Sequence, residues 1–494
     1  MASRPLKLER LPEEMILHIL RNVHDTPIPR FGLRELVPVK RYPILRTPSE
    51  WAQYYQGIRD IQNVRLTSKM LCRIGTEFLV GYVGIDFSLE SLARFQRIME
   101  HPGIRRGVEM VRIRLPVYSQ VLCTDERLYT QKVALNASSV CDLLDSEVPC
   151  CAHQWGQDRA ESEKDIQANI IAAIEHSHRE YKQRYQAQQS LLQQRERFIK
   201  GVFDAIKMSN NKALRLEFTD GRDLPTLNRL SKQLVTAKDR MYTILRRPFT
   251  PITWSALDSV DPQPVQTLAT IIPDMLAAFS DTRITIVDLK LEITKVTASD
   301  REAFGTMENA LVPISGAMWN LRKFTYIHCP WRRKSQAGPS EQETRPELCT
   351  FLYQCLPPSL RTLELESVEI GPLRCRLPGL TQIRLVSLPN LTTEGLGHML
   401  QGLERHGVAI TLKECWVRFC SWTDVLDLLR SKQSMTSLVK PRGREFERIR
   451  ILAPMILPHL APDDAYIGFV RKAELYIQRA RDINPFDVYR KPQD

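Results

Sequence analysis

The sequence predicts an α/β chain: a small N-terminal helical module, then an irregular solenoid of short strands and helices that carries a long helical insertion. Three observations predict it. Residues 8–23 and 57–79 carry apolar side chains at helical spacing, short stretches with alternate apolar residues recur between Val108 and Leu412, and residues 161–208 keep a helical period with few Gly or Pro. The length of 494 residues exceeds the roughly 100 to 200 of a common single domain, so several folding units or a repeat architecture are expected. With 43% hydrophobic and 26% charged residues, the composition excludes a wholly disordered, collagen-like or disulfide-scaffold chain.

Residues 8–23 read LERLPEEMILHILRNV. Pro12 suits the first helical position, Glu13 and Glu14 sit near the positive helix end, and Met15, Ile16, Ile19, Leu20 and Val23 share a face. In GIRDIQNVRLTSKMLCRIGTEFL, residues 57–79, the residues Ile58, Ile61, Val64, Leu66, Leu71, Ile74 and Phe78 predict two more short helices that close over the first. Such a helix set is too small to bury all its apolar surface and gains stability by lending part of it to a partner. Together, Leu8, Leu11, Pro12, Glu14, Ile16, Leu17, Ile19 and Leu20, followed by Ile61, Val64, Leu66, Ser68 and Lys69, closely resemble an F-box. The resemblance implies a three-helix module that docks on the Skp adaptor of cullin-type ubiquitin ligases. The adaptor-binding residues it implies are Leu8, Leu11, Pro12, Ile16, Ile19, Leu20, Ile61, Val64 and Leu66. One departure is the Pro-rich spacer at about 24–56, which is longer than an ordinary helix connection and could be a surface loop or could stop the module closing.

The strand-forming copies follow an L-x-x-L-x-L theme: Val108/Val111/Ile113, Ile286/Leu289/Leu291, Leu321/Phe324/Tyr326, Leu360/Leu363/Leu365 and Leu380/Ile383/Leu385. Partial copies stand at Leu214/Leu216 and Ile410/Leu412. Helical stretches such as Leu268 to Phe279 and Leu396 to His406 precede some of them, which is the unit of a leucine-rich solenoid. The spacing is irregular, so long insertions lie between strands. Regular repeats bear Asn or Cys eight residues after the first position of the theme; here that position holds Pro116, Thr294, Cys329, Val368 and Leu388, so irregular turns are expected. A globular α/β domain with simply buried strands is the competing reading of the same residues.

In the insertion, Ile166, Ile170, Ile174, Tyr181, Tyr185, Leu191 and Leu192 recur at helical intervals and predict one long or two stacked helices. The stretch EYKQRYQAQQSLLQQRERFIKGVFDAIKMSNNKALRLEF is similar to one common in fungal F-box proteins. The apolar residues hold no heptad, which argues against a coiled coil. Linkers are expected at Asp220 to Pro225, Pro248 to Pro264 and residues 332–346. From Lys440 onward Phe446, Ile449, Ile451, Leu452, Met455, Ile456 and Leu457, with a helix over Asp463 to Arg481, predict a segment that caps the open end of the solenoid. The expected domains are therefore residues 1–80, 81–439 with its helical insertion at about 161–208, and 440–494.

Signatures of phosphate loops, serine hydrolases, zinc proteases and dinucleotide folds are absent from the sequence, so no enzyme and no cofactor is expected. Cys141, Cys150, Cys151 and His153 are the best metal candidates, but adjacent cysteines suit one tetrahedral zinc poorly and the segment reads equally as a loop with buried thiols. The 11 cysteines are an odd number without any C-x-x-C pair, which points to reduced thiols. The net charge of +12 is concentrated in residues 1–118 and 430–494, with a neutral middle. Basic clusters lack interleaved aromatic residues, so nucleic acid is not the expected partner. Arg361, Arg384 and Lys413 lie in or beside strand copies and are candidates for a basic stripe, a pattern that solvated strands also produce.

The apolar runs are too short for a transmembrane helix and the N-terminus lacks an apolar signal core, so a cytoplasmic or nuclear, non-membrane protein is expected. The resemblance implies a non-catalytic substrate-recognition subunit of a Skp-cullin-F-box ligase that joins the Skp adaptor, and through it a cullin, to an unknown substrate protein, and is monomeric outside the complex. The alternatives are a non-degradative interaction scaffold and a basic nucleic-acid-associated protein.

Overall fold

The computed structural model describes residues 11–24, 47–133, 163–209, 213–220, 268, 270–280, 284–293, 311–328, 355–368, 377–388, 391–401, 408–417, 420–431, 435–442, 446, 462–479 and 484–485. Leu8, the cysteine and histidine residues at 141–153, the three expected linkers beyond Asp220, and spacer residues 25–46 lie outside them. The fold is α/β, with a nine-stranded sheet whose strands follow chain order. They are β1 (Tyr82–Asp86), β2 (Met110–Arg114), β3 (Ala213–Thr219), β4 (Thr285–Ile293), β5 (Lys323–His328), β6 (Thr362–Glu366), β7 (Gln382–Val386), β8 (Ala409–Lys413) and β9 (Met435–Val439). Two compact units divide the chain, residues 1–212 with 218–271 and residues 213–217 with 272–494.

The first unit opens with α1 (Glu13–His24), α2 (Thr47–Arg65) and α3 (Lys69–Gly75), then β1, α4 (Leu89–Glu100), β2 and α5 (Gln120–Thr124). The helix expected to begin near Gly57 starts instead at Thr47, so part of the Pro-rich spacer is helical, with Pro48 in the first turn where its missing N–H costs nothing. Serine side chains start the helices that follow: Ser68 accepts from Leu71 N, Ser88 from Ser91 N and Ser119 from Val121 N. The expected insertion forms two helices, α6 (Glu163–Gln193) and α7 (Arg195–Lys207), parted at Gln194.

The polar residues of α6 are buried for a reason. The chain leaving β2 has backbone groups with no strand to pair with, and side chains of α6 take them. Gln188 donates to Pro116 O at 2.6 Å and accepts from Tyr118 N at 3.1 Å. Tyr181 Oη accepts from Ser119 N at 2.7 Å, and His178 Nε2 donates to Leu122 O at 3.0 Å. Spacings of three and seven put all three side chains on one helix face. Tyr129 stacks on His178 with ring centroids 4.4 Å apart, meets Tyr181 edge-on at 5.2 Å and hydrogen-bonds Ser177.

In the second unit the strands alternate with α8 (Ile271–Ala278), α9 (Leu311–Ala317), α10 (Thr393–Gln401) and α11 (Trp422–Ser431), and α12 (Pro462–Ile477) follows β9. All pairs from β4 to β9 are parallel. Leu289, Phe324, Leu363, Ile383 and Ile410 stand side by side in register, as do Leu291, Tyr326, Leu365, Leu385 and Leu412. Every one of these side chains is buried. Irregular sequence spacing thus yields regular lateral alignment, because a parallel pair constrains only the strands and leaves the crossover length free.

The turns after β6 to β9, expected from the sequence to be irregular, repeat as well. Ser367, Ser387, Glu414 and Lys440 adopt left-handed backbone with φ of 57°, 51°, 54° and 47°. Each is the first residue past its strand, and Ser367 N, Ser387 N and Glu414 N donate to Val386 O, Lys413 O and Val439 O on the next strand. The kink turns the following residue inward, so Val368, Leu388 and Cys415 are buried. Cys415 occupies the position eight residues into its copy, and its Sγ donates to Leu385 O at 3.3 Å. Ahead of the strand, Gly379 passes so close to Pro358 that a Cβ would overlap its carbonyl oxygen.

Side chains take backbone groups on both outermost strands. On β1, Ser91 Oγ accepts from Asp86 N at 2.9 Å and Arg94 donates to Gly84 O at 3.1 Å. On β9, Glu474 of α12 accepts from Leu438 N at 2.8 Å. These groups would otherwise offer a template for strand addition. The helix expected over Asp463 to Arg481 is α12, and Phe446 is buried against Trp422 and Phe469, with ring centroids 5.1 and 5.8 Å away. Among the described residues no helix is long and apolar enough to cross a membrane.

Two outcomes follow. Tyr181→Phe strands the buried Ser119 N–H and is expected to cost about 1–3 kcal/mol in urea unfolding. Burial raises the Tyr181 hydroxyl above the usual phenol range, so its contribution is full below about pH 10 and declines as pH climbs beyond it; the parent protein should lose stability there more steeply than the Phe variant. Ser387→Val, a β-branched residue at positive φ, is expected to cost about 1–3 kcal/mol by the same measurement.

Candidate functional site

The three N-terminal helices are built from local signals. Pro12 O accepts from Met15 N at 3.0 Å and Ile16 N at 3.1 Å, which starts α1. Ser68 caps α3 through its side chain at 3.2 Å from Leu71 N, while its carbonyl accepts from Cys72 N at 2.8 Å; this is what Ser68 contributes to the matched pattern. Between α2 and α3 the Arg65 side chain lies over Gly75, where a Cβ would crowd its Cγ, and Nε donates to Cys72 O at 3.4 Å. An ion pair at 2.8 Å joins Arg73 to Glu13; both side chains are solvated, so its effect is small.

One apolar core unites the helices: Ile16 and Leu20 of α1, Ile61 of α2, Leu71 and Ile74 of α3, and Phe78. Leu11, Leu17, Val64, Met70 and Leu79 pack against it while partly exposed. The helices on either side of the spacer therefore share a closed core. This divides the sequence-derived adaptor-binding residues into two groups. Ile16, Leu20 and Ile61 are 0 to 1% exposed, so they hold the module together and offer no surface. Leu11, Ile19 and Val64 are half-buried, and Pro12 and Leu66 are exposed. Leu66 is 86% exposed, and Met15, which the pattern did not single out as a contact, is 51% exposed. An alternation of polar and apolar residues marks the helix face but not which apolar residues the module keeps for itself, and that distinction decides which of them can touch a partner.

No group of three or more His, Cys, Asp or Glu is placed to hold a metal ion among the described residues. Burial pushes the thiols of Cys123 and Cys355 up from their ordinary range, which keeps them protonated and weakly nucleophilic. His176 is exposed and His178 is buried, as expected for residues two apart on a helix.

Ile61→Ala should remove about 2–5 kcal/mol from the helical core. Hydrogen exchange is expected to show amides of α1, α2 and α3 losing protection while those of β4 to β9 keep theirs. In the comparisons with known proteins, no protein-family model matches the chain and no curated protein matches it.

Proposed function

We propose that this chain is the substrate-recognition subunit of a Skp-cullin-F-box ubiquitin ligase. In this reading α1, α2 and α3 form the F-box, and the strand ladder is an irregular leucine-rich solenoid that presents the target. The observation that carries the proposal is the three-helix core from Ile16 to Phe78, which consumes some apolar residues of the F-box-like pattern and leaves others, Pro12 and Leu66 with Met15, at the surface. Exposed apolar side chains on a module this small are favourable docking elements, because covering them removes area from water at about 25 cal/mol per Å².

The mechanism is positional. The chain performs no covalent step; it holds a substrate near a ubiquitin-loaded enzyme and raises the effective concentration of the substrate's lysines. Nothing in that role requires a cofactor. The short helices gain rigidity from the adaptor, and the ladder gains it from its own core, so the two ends of the chain can serve different partners.

The test is capture of the full chain by purified Skp adaptor, with circular dichroism to show that each variant is folded. The intact chain is expected to bind. Leu11→Ala combined with Pro12→Ala, and separately Leu66→Ser, should weaken capture by about tenfold or more. Absence of binding by the intact chain, or equal capture of all three proteins, would sink the proposal.

A further inference from the structure

The outward positions of the ladder carry a charge pattern that the helical module does not explain. In a strand, residues alternate between faces, so with Leu363, Leu365, Ile383, Leu385, Ile410 and Leu412 inward, Glu364, Arg384, Thr411 and Lys413 point outward. The acidic side chains beside them are engaged. At an outward position of β6, Glu364 pairs with Lys323 at 3.3 Å, and past the end of β8 Glu414 pairs with Arg442 at 3.5 Å. By contrast, neither the Arg384 nor the Lys413 side chain has a hydrogen bond or ion pair among the described residues. Arg361, the third member of the stripe expected from sequence, lies ahead of β6 at the strand entrance and does not join them.

Register fixes the distance between the two cations. Arg384 stands opposite Thr411, and Lys413 lies two residues further along β8. One strand spacing and two residues of rise give a separation of about 8 Å between their Cα atoms. Carboxylates at positions i and i+2 of an extended peptide are about 7 Å apart, which matches. Across the strands Arg384 is flanked by Glu364 and Thr411, and Lys413 by Val386 and Val439; Thr411, with Gln382 and Ser437 one position away, offers groups able to hydrogen-bond a backbone.

We propose that the outward face of β7 and β8 binds an extended acidic segment of a partner protein, with Arg384 and Lys413 each meeting one carboxylate. The proposal deepens the recognition-subunit reading and rests on it for the identity of the segment as a substrate. A nucleic acid fits less well. No aromatic residue occupies an outward position of β6 to β9 to stack on a base, and two cations with uncharged Thr411 and Val386 as their cross-strand neighbours between β7 and β8 form no continuous basic track for a phosphodiester backbone.

The experiment uses the full chain and a fluorescent synthetic peptide of alternating Glu and Ser. Controls are the same peptide with Gln for Glu and a short single-stranded RNA. The Glu peptide is expected to bind and to weaken with added salt, the Gln peptide to bind about tenfold more weakly, and Arg384→Glu with Lys413→Glu to lose about tenfold. Lys200→Glu, on the exposed face of α7, should leave binding unchanged. Equal binding of the Glu and Gln peptides, an equal loss in Lys200→Glu, or tighter binding of RNA through Arg384 and Lys413 would each overturn the proposal. Skp adaptor capture is measured in parallel: capture without Glu-peptide binding overturns this inference alone, and Glu-peptide binding without capture overturns the ligase reading alone.

Discussion

The lateral registration of buried side chains across parallel strands is the constraint on which the rest of this structure depends. A single five-residue strand with two inward side chains cannot bury them alone. Placed beside the same pair on the next strand, as Leu363 and Leu365 stand beside Ile383 and Leu385, each becomes part of a continuous apolar column. Parallel pairing then dictates much of the remaining architecture. Each strand must be followed by a crossover that returns the chain to the same end of the sheet. Nothing fixes how long that crossover is, and this is why stretches of very different length can separate neighbouring strands without disturbing the column.

How much of this was legible in the sequence depended on whether burial used apolar residues. The inward pairs of β4 to β8 announce themselves by alternation, and all fall at the expected positions. β9 was missed because Thr436 stands where its neighbours have Ile or Leu, and β1 because Gly84 and Tyr82 interrupt an alternation that Val83 and Ile85 alone cannot establish. The turns illustrate the same limit. A left-handed residue carries no apolar signature, so Ser367, Ser387 and Glu414 look like ordinary loop residues. Cys415 was within reach, since counting along the partial copy at Ile410 and Leu412 arrives at it.

The helical insertion shows where patterning by hydrophobicity misleads. Gln188, His178 and Ser177 are buried, yet any scale would assign them to the surface. Gln188 and His178 are buried on backbone groups of residues 116–122 that have left the sheet and need partners, and Ser177 on the Tyr129 hydroxyl. Gln188 and Tyr181, with His178, form a hydrogen-bonding rail on one face of α6. The N-terminal helices have the opposite difficulty. Their apolar residues were visible, but assigning each to the interior or to the exterior required knowing that α2 begins at Thr47 and that Ile61 lies at the centre of the bundle. Sequence spacing could name the face of a helix; only packing could say which side chains were left over.

The closure of the two sheet edges has a consequence for how such a chain can change over time. The carboxylate of Glu474 and the side chains of Ser91 and Arg94 take backbone groups of the outermost strands, while interior strands satisfy one another by an identical rule. A duplicated or deleted strand unit in the middle of the ladder would leave both closures untouched and would keep every column in line. The same event at either end would expose a row of backbone donors and acceptors. Length variation among descendants of this chain should therefore accumulate internally, with the first and last units held nearly constant.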